Sequence, residues 1–221
     1  MRTVGFQSHV VLPASIGPQH LARTDSKKPT NTKDGLDLTP RTQALRSAQA
    51  YAETAGSKLG LEAKMSLFHG RFSADVDFRD PLFGHLTGPS VFGKLAIEHS
   101  GGAEIRYQAV REGDVKRMSS EEIARIDPQA AARHAQWNQV SLRWDADYVV
   151  GGRPIHNEVE TTLSVDAEGK IRQQRDDYDW KRWMDQAVPF VPELIRHSRP
   201  FKALVNLALG VVTHFKGRAV E

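Results

Sequence analysis

The chain has 221 residues and a formal net charge of +3, and 39% of its residues are apolar. This composition is typical of a soluble globular domain that is long enough to bury a core without covalent staples. The chain contains no cysteine, which excludes disulfide frameworks, thiolate metal sites and cysteine nucleophiles.

The basic residues are concentrated at the two ends of the chain. Residues 1–40 carry a net charge of +2 and residues 181–221 a net charge of +4, whereas residues 41–180 carry −3. An acidic body does not favour a polyanion-binding groove, so we expect no nucleic-acid partner. No run of about 18 apolar residues occurs, so we expect no stable membrane insertion and a cytoplasmic location.

The N-terminal part of the chain divides into a polar segment and a helical one. Residues 1–38 are rich in polar residues and lack an apolar period in their second half, which predicts a flexible leader. Thr39-Pro40 combines a capping residue with proline at the first helical position and predicts a helix that ends near Gly56. A second, short helix is indicated by Leu61, Met65 and Phe68.

The middle of the chain alternates between strand and helix patterns. A period of two begins at Ala74 and ends at Asp80-Pro81, which predicts a strand. Gly88-Pro89 predicts the start of a helix, and a strand around Tyr107 and a short capped helix from Ser119 follow.

A long antiparallel meander is the clearest β signal. Residues 139–150 alternate apolar and polar side chains, and short turns lead from them into residues 155–165 and then 170–179. Helical patterns return beyond Trp180. Helices, a strand, a helix and a meander together predict an α+β fold with helices packed on one face of a strongly bent sheet.

The sequence Gly88–Lys94 matches the first seven positions of a phosphate-binding loop. Leu95 stands where Ser or Thr must hold magnesium, and Pro89 removes a backbone donor, so we interpret the segment as a helix start. The nine histidines lack metal-ligand spacing. We therefore expect neither a cofactor nor a metal site.

Charged residues at strand positions are the candidate catalytic groups: Asp80, Arg143, Asp145 and Asp176. If they project into an apolar cavity, burial and mutual repulsion raise the pKa of one carboxyl group while Arg143 keeps another ionised. The two pKa values then differ, as an acid–base pair requires. The alternative is that Arg143 and Asp145 lie on the solvated side of their strand, with Trp144 and Tyr148 on the core side.

Several motifs resemble the nuclear transport factor 2-like superfamily, which includes ketosteroid isomerases, SnoaL-like polyketide cyclases and limonene epoxide hydrolase. They are residues 72–84, Gly88, residues 152–154, residues 169–171 and residues 177–179. The resemblance covers Arg41–Ala187 and implies a cone-shaped curved antiparallel sheet wrapped by N-terminal helices, often as a homodimer. We place the domain at 39–187 and a C-terminal helical extension at 188–221.

The resemblance implies two alternative sets of functional residues. In ketosteroid isomerases the Asp of the Asp-Pro at the first strand end is the general base, and Asp80 occupies that position. Their oxyanion-hole acid falls near Thr161, and Tyr51 is the candidate for their helical Tyr. In limonene epoxide hydrolase an Arg-x-Asp and a last-strand Asp form the acid–base set, which falls on Arg143, Asp145 and Asp176.

Two departures from the epoxide hydrolase pattern are Phe78 and Asp80, where that enzyme uses Tyr and Asn. Tyr178 shares a strand face with Asp176 and is expected to line the same pocket. Tyr51, Phe78, Thr161 and Tyr178 are therefore the candidate ligand-binding residues.

These features predict a protein that binds a small hydrophobic molecule and performs cofactor-free acid–base chemistry of the isomerase, cyclase or epoxide hydrolase type. The alternative is a non-catalytic ligand-binding or protein-interaction member of the superfamily. The apolar residues after Pro200 are expected to cap the cone, extend a dimer interface or rest on a membrane surface.

Overall fold

A computed structural model describes residues 39–100, 103–150 and 152–207. The predicted leader 1–38 and the last part of the predicted C-terminal extension, 208–221, lie outside the described residues. The described chain forms helices and one sheet, which confirms the predicted α+β class.

Three helices precede or interrupt the first strands. They are α1 (Pro40–Gly56), α2 (Leu61–Arg71) and α3 (Pro89–Ser100). The Thr39 hydroxyl caps α1 by accepting a hydrogen bond from the Thr42 amide, and Pro40 occupies the first turn, as the sequence predicts. Two one-turn helices follow later, α4 (Ser120–Ala124) and α5 (Pro128–Ala132), and α4 begins with the predicted Ser119–Glu122 capping box.

The sheet has seven strands: β1 (Phe72–Asp80), β2 (Gly84–Thr87), β3 (Glu104–Tyr107), β4 (Val115–Arg117), β5 (Asn138–Val150), β6 (Arg153–Val165) and β7 (Ile171–Asp177). Their order is β2-β1-β7-β6-β5-β3, and β4 pairs with another part of β5. The sheet path therefore has two free ends and does not close into a barrel.

The pairing is antiparallel except at one place. Strands β5, β6 and β7 form the predicted meander, and β3 and β4 pair antiparallel with β5. Strand β1, however, runs parallel to β7. The expected wholly antiparallel sheet is thus mixed, because the long excursion from β1 back to β7 returns the chain in the same direction.

The main core lies between the three long helices and one face of the sheet. Its fully buried members include Phe68, Val76, Phe78, Leu95 and Leu163. Because side chains alternate along a strand, the same strands present a second set of residues to the other face.

The C-terminal elements are α6 (Trp180–Ala187), α7 (Glu193–Arg196) and a helix over 199–207, here α8. Ile155, Trp183 and Met184 form a second buried cluster, and Phe201 of α8 packs against it. No helix among the described residues is long and apolar enough to cross a membrane.

Candidate functional site

A cavity of about 520 Å³ lies beside the sheet and is lined from several elements. Its apolar and aromatic walls include Ile97, Ile105, Trp144, Ala146, Val159 and Trp183, and Val205 of α8 contributes to the lining. Its polar lining residues are Asp80, Glu98, Tyr148, Asn157, Asp176 and Tyr178. A largely apolar cavity of this size with a few polar groups is typical of a small-molecule site.

Three carboxyl groups reach the cavity from three different elements. Asp80 ends β1, Glu98 lies in the last turns of α3, and Asp176 lies in β7. Asp176 pairs in register with Thr161 of β6, so both side chains lie on the same face of the sheet. The parallel pairing of β1 with β7 brings the end of β1 to the same region.

A buried lysine forms ion pairs with two of these carboxyl groups. The side chain of Lys94 is 1% exposed, and its Nζ lies 2.7 Å from Glu98 Oε2 and 3.3 Å from Asp176 Oδ2. The ammonium also lies 4.1 Å from the centre of the Phe78 ring, a cation–π contact. Burial alone lowers the pKa of Lys94, but the facing carboxylates outweigh it and raise that pKa, so the lysine is charged.

Hydrogen bonds orient Asp176 within this cluster. Its Oδ1 accepts from the Thr161 hydroxyl at 2.6 Å and from Gln174 Nε2 at 3.0 Å. The Thr161 oxygen in turn accepts from Trp144 Nε1 at 2.8 Å, and Gln174 Nε2 also donates to the Tyr51 hydroxyl at 3.1 Å. These donors compensate a carboxylate that is almost fully removed from water.

Asp80 is in a different environment. It is half-buried, and its Oδ1 accepts a hydrogen bond from the backbone amide of Phe83. Burial raises the pKa of Asp80 to about 7, with Lys94 opposing the rise and the negative charge of Asp176 adding to it. Asp80 therefore exchanges its proton near neutral pH, which is the property of a general acid or base.

Glu98, Tyr148 and Tyr178 also have pKa values above their ordinary ones. Burial raises the pKa of Glu98, with the Lys94 ammonium opposing the rise. Burial also raises the pKa of Tyr148 to about 12 and that of Tyr178 above its ordinary value. The Tyr148 hydroxyl accepts from Trp183 Nε1 at 2.6 Å. Both phenols are therefore hydrogen-bond donors at neutral pH.

Arg143 and Asp145 do not join the cluster. Trp144, Ala146 and Tyr148 line the cavity, so the residues that alternate with them along β5, Arg143, Asp145 and Asp147, point to the opposite face of the sheet. Arg143 is exposed there and lies in a separate surface depression with Glu160. The expectation that Arg143 and Asp145 converge with Asp176 is corrected: the alternative, a solvated Arg143/Asp145 face, is what the structure contains.

The other predicted site residues lie at or behind the cavity wall. Asp80, Asp176 and Tyr178 line the cavity. Tyr51, Phe78 and Thr161 are buried behind the cavity wall. The Tyr51 hydroxyl accepts a hydrogen bond from Gln174, and the Phe78 ring forms the cation–π contact with Lys94. Thr161 donates its hydrogen bond to Asp176.

The sequence interpretation missed Lys94 and Glu98. Lys94 belongs to the Gly88–Lys94 segment, which the sequence predicts only as a helix start. The available signal is a Lys–Glu pair four residues apart inside the helix stretch 91–98, whose other residues are apolar apart from Gly93. Opposite charges at this spacing pair on one helix face, and in a buried helix that face points inward.

Comparisons with known proteins identify structural relatives only. No protein-family model matches this chain, and no curated protein matches it in sequence. Among the solved structures that it resembles, one is PrhC from Penicillium brasilianum, at 14% identity and a TM-score of 0.46. The match covers 77% of this chain and 98% of that chain. A second is an LEH-like epoxide hydrolase from M. tuberculosis, with 13% identity, 71% and 98% covered and a TM-score of 0.40. A third is an NTF2-like protein from Anabaena variabilis, with 15% identity, 62% and 89% covered and a TM-score of 0.40.

Proposed function

We propose that the protein binds a small hydrophobic molecule in this cavity and transforms it by cofactor-free acid–base chemistry of the isomerase, cyclase or epoxide hydrolase type. One observation carries the proposal. A carboxyl group whose pKa is raised to about 7, Asp80, lines an apolar cavity together with a carboxylate, Asp176, whose charge is balanced by a buried lysine. Two carboxyl groups in such unequal environments are suited to different roles.

Asp80 is the proton-transferring group in this proposal. At neutral pH its acid and base forms are both populated, so it can accept a proton from one atom of the ligand and return it to another. The carboxyl group ends the cycle in the state in which it began. No external oxidant, reductant or metal takes part in such a proton transfer.

Tyr178 and Asp176 are the supporting groups. The phenol of Tyr178 lines the cavity and keeps its proton, so it can donate a hydrogen bond to a ligand oxygen on which negative charge develops. Asp176 remains fixed by Thr161 and Gln174 and supplies negative charge opposite a water molecule or a developing positive centre. The apolar walls exclude bulk water and strengthen these interactions.

The proposal is tested by turnover of a panel of steroid enones, terpene epoxides and polyketide-like aromatic compounds. Asp80→Asn should lower the turnover of an accepted substrate by about 10²–10⁴-fold, the usual contribution of a general acid or base. Asp77→Asn is the matched control, because Asp77 lies on the same strand and outside the cavity lining. The control variant should retain wild-type turnover.

The pH profile separates the two possible roles of Asp80. If it acts as the base, kcat/KM rises with pH through about 7, and if it acts as the acid, kcat/KM falls through the same range. Full turnover in Asp80→Asn contradicts the assigned role. Ligands that bind tightly without reacting favour the non-catalytic alternative.

We further propose that the protein is a homodimer that uses its C-terminal face. Five large apolar side chains are exposed in the described C-terminal elements, and the most exposed is Leu194 at 89%: Phe190, Leu194, Ile195, Leu204 and Leu207. Exposed apolar side chains of this size favour an interaction surface. Light scattering should give twice the chain mass, and Leu194→Glu should shift it to the monomer mass.

A further inference from the structure

We propose that the ligand of this cavity carries a cationic nitrogen, as a protonated amine or a quaternary ammonium group, on its hydrophobic body. The inference rests on the proposed function, because it names the class of molecule that the same cavity takes.

The lining of the cavity is acidic and lacks a basic counterpart. Asp80, Glu98 and Asp176 all line it. Among the described residues that line it, none is lysine, arginine or histidine. A ligand in the cavity therefore meets carboxyl groups without meeting a protein cation.

Lys94 balances only part of this charge. Its Nζ is directed at Glu98 and Asp176, and its side chain is 1% exposed and does not belong to the lining. One ammonium group faces three carboxyl groups, so full ionisation leaves an excess of two negative charges. Without a ligand, protons on the carboxyl groups reduce this excess. A cationic group in the cavity takes the place of those protons.

The aromatic lining favours the same class of ligand. Trp144, Tyr148, Tyr178 and Trp183 surround the cavity that the carboxyl groups enter. The face of an aromatic ring attracts a cation, and the attraction grows when the cation is removed from water. A neutral ligand of the same shape gains the apolar contacts alone, and an anionic ligand is repelled.

Two probes of the same shape separate charge from shape. Phenyltrimethylammonium and tert-butylbenzene differ in replacing a positively charged nitrogen by a carbon atom. Binding of each to the full chain is followed by fluorescence of the tryptophans, two of which line the cavity. We expect phenyltrimethylammonium to bind at least about 10-fold more tightly, equivalent to about 1.4 kcal/mol.

Variants locate the charge that is responsible. Asp80→Asn should lower the affinity for phenyltrimethylammonium about 10-fold and leave that for tert-butylbenzene unchanged. Asp77→Asn, outside the cavity, should change neither. Ala146→Leu narrows the cavity and should weaken both probes, which shows that they bind inside it.

The pH dependence gives an independent readout. Asp80 is faced by Lys94 and Glu98 from α3, by Asp176 and Tyr178 from β7 and its end, and by Tyr148 from β5. The cation prefers ionised Asp80, and the ionised fraction of a group with a pKa of about 7 rises about 10-fold between pH 6 and pH 8. Because a neutral side chain at this position still binds about a tenth as tightly, the affinity for phenyltrimethylammonium should rise about 5-fold over this range, and that for tert-butylbenzene should not change.

The outcomes distinguish this inference from the proposed function. Preferential binding of phenyltrimethylammonium that Asp80→Asn abolishes supports the inference. Equal or tighter binding of tert-butylbenzene, lost in Ala146→Leu, overturns it and leaves the proposed hydrophobic site intact. Binding of neither probe contradicts both.

Discussion

The two faces of the sheet carry the same kinds of residue in opposite physical situations. On the cavity side, Lys94 and Asp176 form an ion pair whose side chains are 1% and 3% exposed. On the outer side, Arg106 and Asp147 form an ion pair whose side chains are 46% and 44% exposed. A charge on the outer face remains solvated, whereas each charge on the inner face depends on its partners. Charged residues occur on both faces, so the burial of the charged side chains, and not their presence, distinguishes the candidate site.

The largest expected effect is the loss of the buried cation. Lys94→Met leaves Glu98 and Asp176 without their ammonium partner, and we expect the free energy of unfolding to fall by about 3–5 kcal/mol. Urea denaturation at pH 7.5 measures the change. Arg106→Met on the outer face is the control and should lose much less, because its ion pair with Asp147 remains in contact with water. Equal losses in both variants would remove the distinction between the faces.

A smaller effect is expected where a single hydroxyl is removed. Thr161→Val leaves Asp176 Oδ1 and Trp144 Nε1 each without one partner inside the core, and we expect a loss of about 2 kcal/mol. Thr162→Val, the next residue along β6 and on its other face, should change stability by less than about 0.5 kcal/mol. Thermal and urea unfolding of the two variants measure this difference in stability. A Thr161→Val protein as stable as wild type would show that the hydrogen-bond chain contributes nothing.

Replacing Asp80 should stabilise the protein at alkaline pH. The folded pKa of Asp80 is raised to about 7, above the ordinary value near 3.9, so between these values the folded chain binds a proton that the unfolded chain has lost. Wild-type stability therefore falls as pH rises through this window. Asp80→Asn does not ionise, and we expect it to gain roughly 1–2 kcal/mol over wild type at pH 8 and little at pH 4. Urea unfolding at the two pH values measures this, and a variant that is less stable at pH 8 contradicts it.

The smallest effects are expected on the outer face of β5. Arg143→Ala and Asp145→Asn should each change stability by less than about 0.5 kcal/mol, because neither side chain lies in the cavity. Both variants should also retain wild-type turnover of any accepted substrate. A loss of activity as large as that of Asp80→Asn would place the chemistry on the outer face.

The sequence predicts the strands better than their faces. The alternation along β5 predicts the strand, and its aromatic residues Trp144 and Tyr148 already indicate the buried side. Aligning Arg143 and Asp145 with a family motif assigns the opposite side, and a shift of one residue is enough to do so, because side chains alternate with a period of two. Thr161 and Asp176, which the resemblance assigns to two alternative sets of functional residues, pair across β6 and β7.

The lysine at the centre of the cluster shows what the sequence leaves open. Lys94 and Glu98 are visible as an ordinary helix pair, and that spacing is usual on solvated helix faces. Their burial follows from how α3 packs against the strands that carry Phe78 and Asp176, which is a tertiary arrangement. Local patterns therefore predict the helix, and the ionic centre depends on contacts between residues far apart in the chain.

The protonation of Asp80 tests the central claim most directly. Carboxyl ¹³C chemical shifts of the full chain can be followed from pH 3 to pH 10, with the Asp80 signal assigned by its loss in Asp80→Asn and its retention in Asp77→Asn. We expect a titration midpoint close to 7 for Asp80. A midpoint near 3.9, the value of an ordinary solvated aspartate, would contradict a buried acid–base group at the cavity.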